Sequence, residues 1–128
     1  MSDCEKPMSD YNLTTAEEKL ATIIWRTAPV TSPDLVDIAQ SELDWKKSTT
    51  YTVLRRLCDK GIFKNENAIV STALTREELQ ARQSRQFVAN TFSGSLPSFV
   101  AAFVGGGKLS PKVADALMQL IESHQEEV

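Results

Sequence analysis

Apolar side chains in the N-terminal part of the chain recur at helical spacing in two short segments. The first segment opens with Thr15 followed three residues later by Glu18, a capping-box pattern, and ends near Ala28-Pro29. The second segment has Ser32 as the expected N-cap and Pro33 at the first helical position, where proline is well tolerated. The pattern therefore predicts two short helices in succession.

A third helix is predicted for the segment KKSTTYTVLRRLCDKG, with Ser48 as a candidate cap and Gly61 as a left-handed stop. Because successive residues of a helix are rotated by about 100°, this segment has one apolar face and one polar face. The apolar face holds Thr50, Val53, Leu54 and Leu57. The polar face holds Ser48, Thr52, Arg55, Arg56 and Asp59. One side of the helix is expected to pack in a core and the other to face outwards.

After Gly61 the pattern changes to that of a small β-hairpin, in which two β-prone runs flank Asn65-Glu66-Asn67. A second capping box, formed by Thr75 and Glu78, then opens a long helix. This helix is expected to end at Ser93-Gly94, because small turn-forming residues follow its last apolar position.

Two further helices are predicted near the C-terminus: the apolar run LPSFVAAFV, closed by Gly105 to Gly107, and a final helix capped by Ser110. The helices after the hairpin are few, and each has a narrow apolar stripe on one side, so their apolar side chains lack partners within one chain. We expect them to pack against a second copy of the chain in a homodimer. The predicted dimerisation residues are Leu79, Phe87, Val88, Phe92, Phe99, Phe103, Val113, Leu117, Leu120 and Ile121.

The order of three short helices, a hairpin and three more helices predicts a mainly α fold with a small β-hairpin. We expect a flexible N-terminal tail in residues 1–11 and a winged helix-turn-helix DNA-binding domain in residues 12–75. Residues 76–128 are expected to form a C-terminal helical dimerisation domain.

Charge is unevenly distributed along a chain whose formal net charge is −3. Residues 46–64 contain six basic residues and one acidic residue, a net charge of +5, so the rest of the chain carries −8. Because salt screens exposed charges over about 8 Å, one basic face can attract phosphate while the remainder stays acidic. The low overall pI therefore does not exclude nucleic-acid binding.

The polar face of the third helix has the side-chain chemistry of a DNA reader. A major groove admits one helix, arginine grips guanine through two hydrogen bonds, and hydroxyl groups contact base edges or thymine methyl groups. The base-reading candidates are Ser48, Thr49, Tyr51, Thr52 and Arg55. The phosphate-contact candidates, at the ends and flanks of the helix, are Lys46, Lys47, Arg56, Lys60 and Lys64. In a homodimer, two such helices about 34 Å apart predict a palindromic operator.

The residues alone do not decide between three interpretations of this basic face. In the first, the chain is a sequence-specific repressor that binds double-stranded operator DNA as a homodimer. In the second, it is a winged-helix protein-interaction module whose basic face binds an acidic partner and whose C-terminal helices serve only assembly. In the third, the charged face is solvated surface without a partner.

Other function classes find little support. With one histidine and no Gly-rich phosphate loop, the chain offers no nucleophile–base pair and no nucleotide site, so we expect neither enzymatic activity nor a cofactor. Cys4 and Cys58 lack metal-ligand spacing, and we expect two free thiols and no bound metal. No apolar run approaches the roughly 20 residues that cross a bilayer, and the N-terminus lacks a signal-peptide pattern. These features predict a cytoplasmic protein without membrane insertion.

The sequence contains the stretches LTTAEEKLATIIWRTAPVTSPDLVD, DWKKSTTYTVLRRLCDKG and QARQSRQFVANTFSGSLPSFVAAFV. Together these stretches resemble the penicillinase-repressor family of bacterial winged-helix transcription factors, which includes the methicillin-resistance and copper-transport repressors. The resemblance implies a homodimer that binds dyad operators and blocks transcription of resistance genes. It also implies an N-terminal DNA-binding domain and a C-terminal dimerisation domain.

Two branches of that family differ in how repression ends. In the β-lactam branch, a membrane metalloprotease sensor leads to cleavage of the repressor at an Asn-Phe bond, and the matching position here is Ala102-Phe103. The resemblance thus implies a membrane sensor protease pathway, with Ala102 and Phe103 as the candidate cleavage site. The C-terminal cysteine motif of the copper branch is missing, since no cysteine follows Cys58. The wing, KNENAIVSTAL, is short and nearly neutral, whereas family wings commonly carry aromatic and basic residues.

Overall fold

The six helices and the two strands of the hairpin follow the predicted order in the computed structural model, which describes residues 11–126. The elements are α1 (Thr15–Thr27), β1 (Val30–Thr31), α2 (Ser32–Leu43), α3 (Lys47–Asp59), β2 (Phe63–Glu66), β3 (Ile69–Thr72), α4 (Arg76–Thr91), α5 (Leu96–Val104) and α6 (Pro111–Ser123). Their content of helix and their small antiparallel sheet confirm the predicted fold class. Residues 1–10, most of the predicted tail, lie outside the described residues. Within residues 11–126 no single helix is both long and apolar enough to cross a membrane, and α4 and α5 reach those limits only as a bent pair.

The described residues form two compact units, one of residues 11–86 and one of residues 87–126. Helix α4 contributes its first turns to the N-terminal unit and its last residues to the C-terminal unit. The division therefore falls later than residue 75, where the sequence predicts it. The reason is Leu79, which is 2% exposed and belongs to the core of the N-terminal unit. Its assignment to the dimer interface is wrong, because a single chain already buries it.

The core of the N-terminal unit receives side chains from α1, α2, α3, the sheet and the start of α4. Its largest fully buried apolar side chains are Phe63, Leu20, Ile24, Leu35, Leu54, Leu57, Ile62 and Val70. Each contributes roughly 2 kcal/mol relative to an exposed position. Trp25 lies at the edge of this core, with its ring 5.3 Å from that of Phe63, and its Nε1–H donates to the Leu74 carbonyl at 2.9 Å.

The capping box of α1 lies one residue before its predicted position. It is formed by Thr14 and Glu17 rather than by Thr15 and Glu18: the Glu17 N–H donates to Thr14 Oγ1 at 3.1 Å, and the Thr14 N–H donates to Glu17 Oε1 at 2.9 Å. The doubled Thr-Thr and Glu-Glu pairs allow either register, and the register adopted buries Glu17. The second predicted box, Thr75 to Glu78, is confirmed at the start of α4.

Helix α2 also begins one residue earlier than predicted. Its N-cap is Thr31, whose Oγ1 accepts a hydrogen bond from the Asp34 N–H at 3.1 Å, and Ser32 is its first residue. Ser32 is buried, and its N–H donates to the Ala68 carbonyl at 2.8 Å. This bond ties the start of α2 to the hairpin.

The sheet has three strands rather than the two of a simple hairpin, in the order β1-β3-β2. Strand β1 has two residues, too few to show a period of two, which explains why the sequence does not predict it. The hairpin turn is also displaced from Asn65-Glu66-Asn67. Its central residues are Asn67 and Ala68, with φ of 54° and 62°, whereas Asn65 and Glu66 belong to β2.

In the C-terminal unit, neither α5 nor α6 contains a buried residue. Ser110 caps α6 as predicted, since its Oγ accepts from the Val113 N–H at 3.2 Å. Four phenylalanine rings form a chain of edge-on contacts with centroids 5.6 to 6.0 Å apart. They are Phe87, Phe92, Phe99 and Phe103. These contacts do not close a core, because Phe103 is 72% exposed and Phe87 is half exposed.

Candidate nucleic-acid interface

Helix α3 separates its side chains into a buried face and an exposed face, as its sequence predicts. The buried face is formed by Thr50, Val53, Leu54 and Leu57. The exposed face, called the α3 face below, consists of Lys47, Ser48, Thr49, Thr52, Arg55, Arg56 and the acidic Asp59. The structure therefore brings six of the predicted DNA-binding residues onto one accessible surface.

The start of α3 leaves backbone N–H groups without a side-chain cap. Lys46 occupies the N-cap position in an extended conformation, and its side chain makes no capping hydrogen bond. Ser48, the predicted cap, lies instead in the first turn and is exposed. That turn contains no acidic residue, so the partial positive charge of the helix start adds to the charges of Lys46 and Lys47. An exposed helix start of this kind suits a phosphate oxygen.

Tyr51 lies at the edge of the α3 face rather than on it. Its ring is partly buried against the core, and its hydroxyl lies 3.4 Å from Ser32 Oγ in α2. Tyr51 thus connects the two helices of the helix-turn-helix. The base contact that the sequence predicts for Tyr51 stays a prediction.

Lys60 is withdrawn from the surface by an internal ion pair. Its Nζ lies 2.6 Å from Glu17 Oε1 and donates to the Asn12 carbonyl at 2.7 Å, and its side chain is 19% exposed. Contrary to the prediction, Lys60 is therefore not free to contact phosphate. Burial by itself would raise the pKa of Glu17, but the hydrogen bonds from Lys60 and the Thr14 N–H, with the charges of Lys60 and Arg56, lower this pKa below its ordinary value.

The hairpin adds a polar side chain that the sequence reading does not include. Asn65 pairs with Val70 across the sheet, and directly opposite residues of two strands project from the same face. It lines an open pocket of about 260 Å³ between α3 and β2, together with Arg55. The flanking β-prone runs predict a turn at Asn65, whereas the period of two that begins at the buried Phe63 indicates a strand position on this face.

Cys58 lines the same pocket and is a free thiol. Burial raises its pKa, and the neighbouring Asp59 carboxylate adds to the rise. The thiol is therefore neutral near pH 7 and acts as a small apolar group beside the core. Cys4 lies outside the described residues.

Most of the basic residues near α3 carry charges without a carboxylate partner. Among the residues that the structure describes, the ion pairs are Arg26 with Glu42, at 2.6 Å, and Lys60 with Glu17. Five basic side chains of residues 46–64 are exposed outside these pairs: Lys46, Lys47, Arg55, Arg56 and Lys64. These five side chains, with Asp59 as the acidic residue among residues 46–64, therefore give this surface a net positive charge.

The candidate cleavage site lies in the last turn of α5. Ala102 and Phe103 are both exposed, and the Ala102 carbonyl accepts from the Gly105 N–H at 3.2 Å. The glycine triplet from Gly105 to Gly107 follows α5 and does not interrupt it. The bond is thus accessible but held in helical conformation.

The predicted dimerisation residues of α6 share one property: each is exposed in a single chain. They are Val113, Leu117, Leu120 and Ile121. Val88, Phe92 and Phe99 are half-buried within their own unit. The structure adds Leu96, Val100 and Met118, exposed apolar residues that the predicted set lacks.

Comparison with known proteins finds relatives that match different shares of the chain. The chain is 41% identical over 54 residues to a Latilactobacillus sakei protein described as an uncharacterized 16.5 kDa protein in the ptsI 3′ region, and the match covers 42% of this chain and 37% of that protein. It is 22% identical over 114 residues to the penicillinase repressor of Bacillus licheniformis, covering 86% of this chain and 89% of that protein. The chain thus spans little more than a third of the first relative's length and most of the second's.

The family model described as penicillinase repressor matches residues 13–123, which include the α3 face, the hairpin and all three C-terminal helices. This match confirms the resemblance seen in the sequence. The chain therefore belongs to the penicillinase repressor family, a family of transcriptional repressors.

Proposed function

We propose that this chain is a sequence-specific transcriptional repressor that binds a palindromic operator as a homodimer. The observation that carries the proposal is the α3 face, where hydroxyl groups and Arg55 are exposed together on a helix whose other side is fixed in a core. A single helix of this kind fits the major groove of B-DNA, and the buried side determines which residues face the bases.

The base contacts are assigned to the side chains at the centre of the α3 face. Arg55 is suited to guanine, whose O6 and N7 accept two hydrogen bonds from a guanidinium group. The hydroxyl groups of Ser48, Thr49 and Thr52 are suited to base edges, and the threonine methyl groups to thymine. Asn65, which lines the pocket beside Arg55, adds an amide of the kind that pairs with adenine.

The phosphate contacts are assigned to the cations at the ends and flanks of the helix. Lys46 and Lys47 lie at the uncapped start of α3, Arg56 lies on its exposed side, and Lys64 projects from β2. Each phosphate that such a side chain neutralises releases counterions, so affinity falls as the salt concentration rises. These four residues are expected to supply most of the affinity and little of the base preference.

The homodimer is assigned to the C-terminal unit. The large apolar side chains of α5 and α6 are mostly exposed, and large exposed apolar patches mark sites of protein–protein interaction. A second copy of the same chain would bury these side chains in a symmetric interface. The dimer would then present two α3 helices to successive turns of one DNA duplex.

One route of release compatible with the chain is cleavage between Ala102 and Phe103, where alanine replaces the asparagine of the β-lactam branch, by a pathway that starts at a membrane sensor protease. The exposure of both residues supports this assignment, and the cut would separate α6 from the rest of the chain. Loss of α6 would remove its apolar side chains from the dimer interface. A fragment that begins at Phe103, detected by mass spectrometry in cells exposed to a β-lactam, is the expected result, and an intact chain under full derepression would contradict it.

The proposed function is tested by titrating the full-length chain against the DNA upstream of its own gene. The control is a duplex of the same length and composition in shuffled order. Binding to the upstream duplex is expected to be at least about a thousandfold tighter, the lower end of specific recognition. Equal binding to both duplexes would contradict the proposal, and capture of an acidic protein partner under those conditions would favour the protein-interaction interpretation.

A further inference from the structure

Tyr11, which the sequence assigns to the flexible tail, is held on helix α4 by four contacts. Its hydroxyl accepts from Arg82 Nη1 at 3.1 Å, and the Arg82 guanidinium lies 5.7 Å from the centroid of its ring. Its carbonyl accepts from Gln83 Nε2 at 2.8 Å, and its N–H donates to Gln86 Oε1 at 3.3 Å. We call this set of contacts the Tyr11 clamp. The predicted tail is therefore wrong for its last residue.

The start of α4 is held separately, by contacts with α1. Leu79 is buried in the core, and the Arg76 guanidinium lies over the Trp25 ring, 4.7 Å from its centroid. Arg76 Nη2 also donates to Thr22 Oγ1 at 3.3 Å. These contacts fix the first turn of α4.

Core packing does not hold the next part of α4. An open pocket of about 440 Å³ lies between α1 and α4, and Leu79, Gln80 and Gln83 contribute to its wall. A helix fixed at one point can pivot about that point, and a second attachment removes this freedom. The Tyr11 clamp provides that attachment about 10 Å farther along, since a helix rises about 1.5 Å per residue between Leu79 and Gln86.

From this geometry we infer that Tyr11 is a positioning residue for operator binding: it fixes the direction in which α4 leaves the N-terminal unit and so sets the spacing between the two α3 helices of the dimer. The inference rests on the proposed function. Two linked DNA-binding heads gain affinity over one head only if both reach their half-sites at once. If α4 could pivot, the two α3 helices of the dimer would adopt many spacings, and the affinity gained by binding both half-sites would be smaller.

The test compares a paired target with a single half-site. The full-length wild-type chain is first used to select its preferred dyad from a pool of randomised duplexes. Affinities are then measured for dyads whose central spacing differs by one base pair at a time, and for a duplex with one half-site. For the double variant Tyr11→Ala, Gln83→Ala, affinity for the best spacing is expected to fall about tenfold, with a flattened spacing preference. Affinity for the single half-site is expected to stay within about twofold, because α3 reads it.

A matched pair of charge variants separates positioning from electrostatic attraction. Arg82→Ala removes the clamp contact of an arginine, whereas Arg85→Ala removes the same charge from an exposed neighbour on the same helix. A positioning role predicts that Arg82→Ala broadens the spacing preference and Arg85→Ala does not. Equal effects of the two variants would overturn it.

Other outcomes of these experiments also test the positioning role of Tyr11. An equal loss of affinity for dyad and half-site in the double variant, or an unchanged spacing preference, would overturn the positioning role. If the double variant does not fold, the comparison of Arg82→Ala with Arg85→Ala decides instead. A wild-type chain that selects no dyad would overturn the proposed function and the positioning role together, whereas a sharp wild-type preference that the clamp variants retain would overturn the positioning role alone.

Discussion

The two units of this chain treat their apolar side chains in opposite ways. In the N-terminal unit, helices and sheet bury a shared set of aliphatic side chains, and several of these are completely inaccessible. In the C-terminal unit, α5 and α6 bury none of their residues, and the phenylalanine rings contact one another while remaining partly exposed. The N-terminal unit thus has its own core, whereas the apolar side chains of α5 and α6 stay largely exposed.

Because of this difference, the stability of the two units should depend on different variables. A closed core gives a stability that is independent of concentration, whereas helices that bury their apolar faces on a second copy become more stable as the protein concentration rises. Trp25 and Trp45 both pack on the N-terminal core, so tryptophan fluorescence reports on that unit. The two behaviours can therefore be measured separately in one molecule.

The largest effect is expected from Leu57→Ala. Leu57 is completely buried, and its truncation should lower the free energy of unfolding by about 3 to 4 kcal/mol because a cavity remains in the core. Urea denaturation followed by tryptophan fluorescence measures this loss. Thr52→Ala, on the exposed side of the same helix, is the control and should change the free energy by less than about 0.5 kcal/mol. Similar losses from both would mean that α3 is not fixed by one face.

The next effect concerns the C-terminal unit alone. Leu120→Asp places a charge among the exposed apolar side chains of α6 and should weaken self-association at least about a hundredfold, about 3 kcal/mol. Sedimentation equilibrium measures the association, and the tryptophan-detected unfolding of the N-terminal unit should be unchanged. Gln119→Asp, an equally charged change on the same helix, should have little effect. If Leu120→Asp leaves the dimer intact, the interface lies elsewhere.

A smaller effect is expected at the buried ion pair between Glu17 and Lys60. Glu17→Gln keeps the capping geometry but removes the charge that compensates Lys60, and should cost about 2 kcal/mol near neutral pH. Because the folded-state pKa of Glu17 is lowered, this stabilisation is fully present above the ordinary glutamate pKa of about 4.3 and is lost as the pH falls through the lowered value. The wild-type and variant unfolding free energies should therefore converge as the pH falls through the lowered pKa of Glu17.

The matched control for that measurement is Glu18→Gln, the same substitution one residue along on the exposed side of α1. It should leave the unfolding free energy nearly unchanged across the same pH range. A Glu17→Gln variant whose deficit persists at low pH would show that packing, rather than charge, accounts for the loss.

The smallest effects separate base contacts from phosphate contacts within the N-terminal unit. Arg55→Ala should cost about 1 to 2 kcal/mol of binding and relax the base preference at one operator position. Lys47→Ala should cost about 1 kcal/mol on every sequence alike and reduce the salt slope by about one. Fluorescence anisotropy over a range of salt concentrations measures both. The assignment fails if the two variants change specificity and salt dependence equally.

The sequence predicts the α3 face well because a helix turns local composition directly into geometry. The positions of Val53, Leu54 and Leu57 determine which way Arg55 points, without reference to any other part of the chain. The helix order and the cap at Ser110 follow from similarly local patterns.

Three of the features that the sequence does not predict depend on partners far away in the chain. Lys60 looks like a free cation until Glu17, 43 positions away, is brought to its Nζ. Leu79 is predicted to lie in the dimer interface, whereas it is buried in the core of the N-terminal unit. Tyr11 is predicted to lie in the tail, whereas its contacts come from α4, where Arg82 is 71 positions away in the sequence. The periodicity of the sequence carries no information about these long-range contacts, because they form only in the folded chain.

The two-residue turn of the hairpin limits what the wing is able to touch. Asn67 and Ala68 both have positive φ, as the tightest hairpin turns require, so strand β2 passes into β3 without any intervening loop. A wing that short has no free backbone to extend along a groove, and the basic side chain that it offers to a phosphate is Lys64 in β2. Discrimination between operators should then be concentrated in the few base pairs under each α3, with wide tolerance for changes in the flanks.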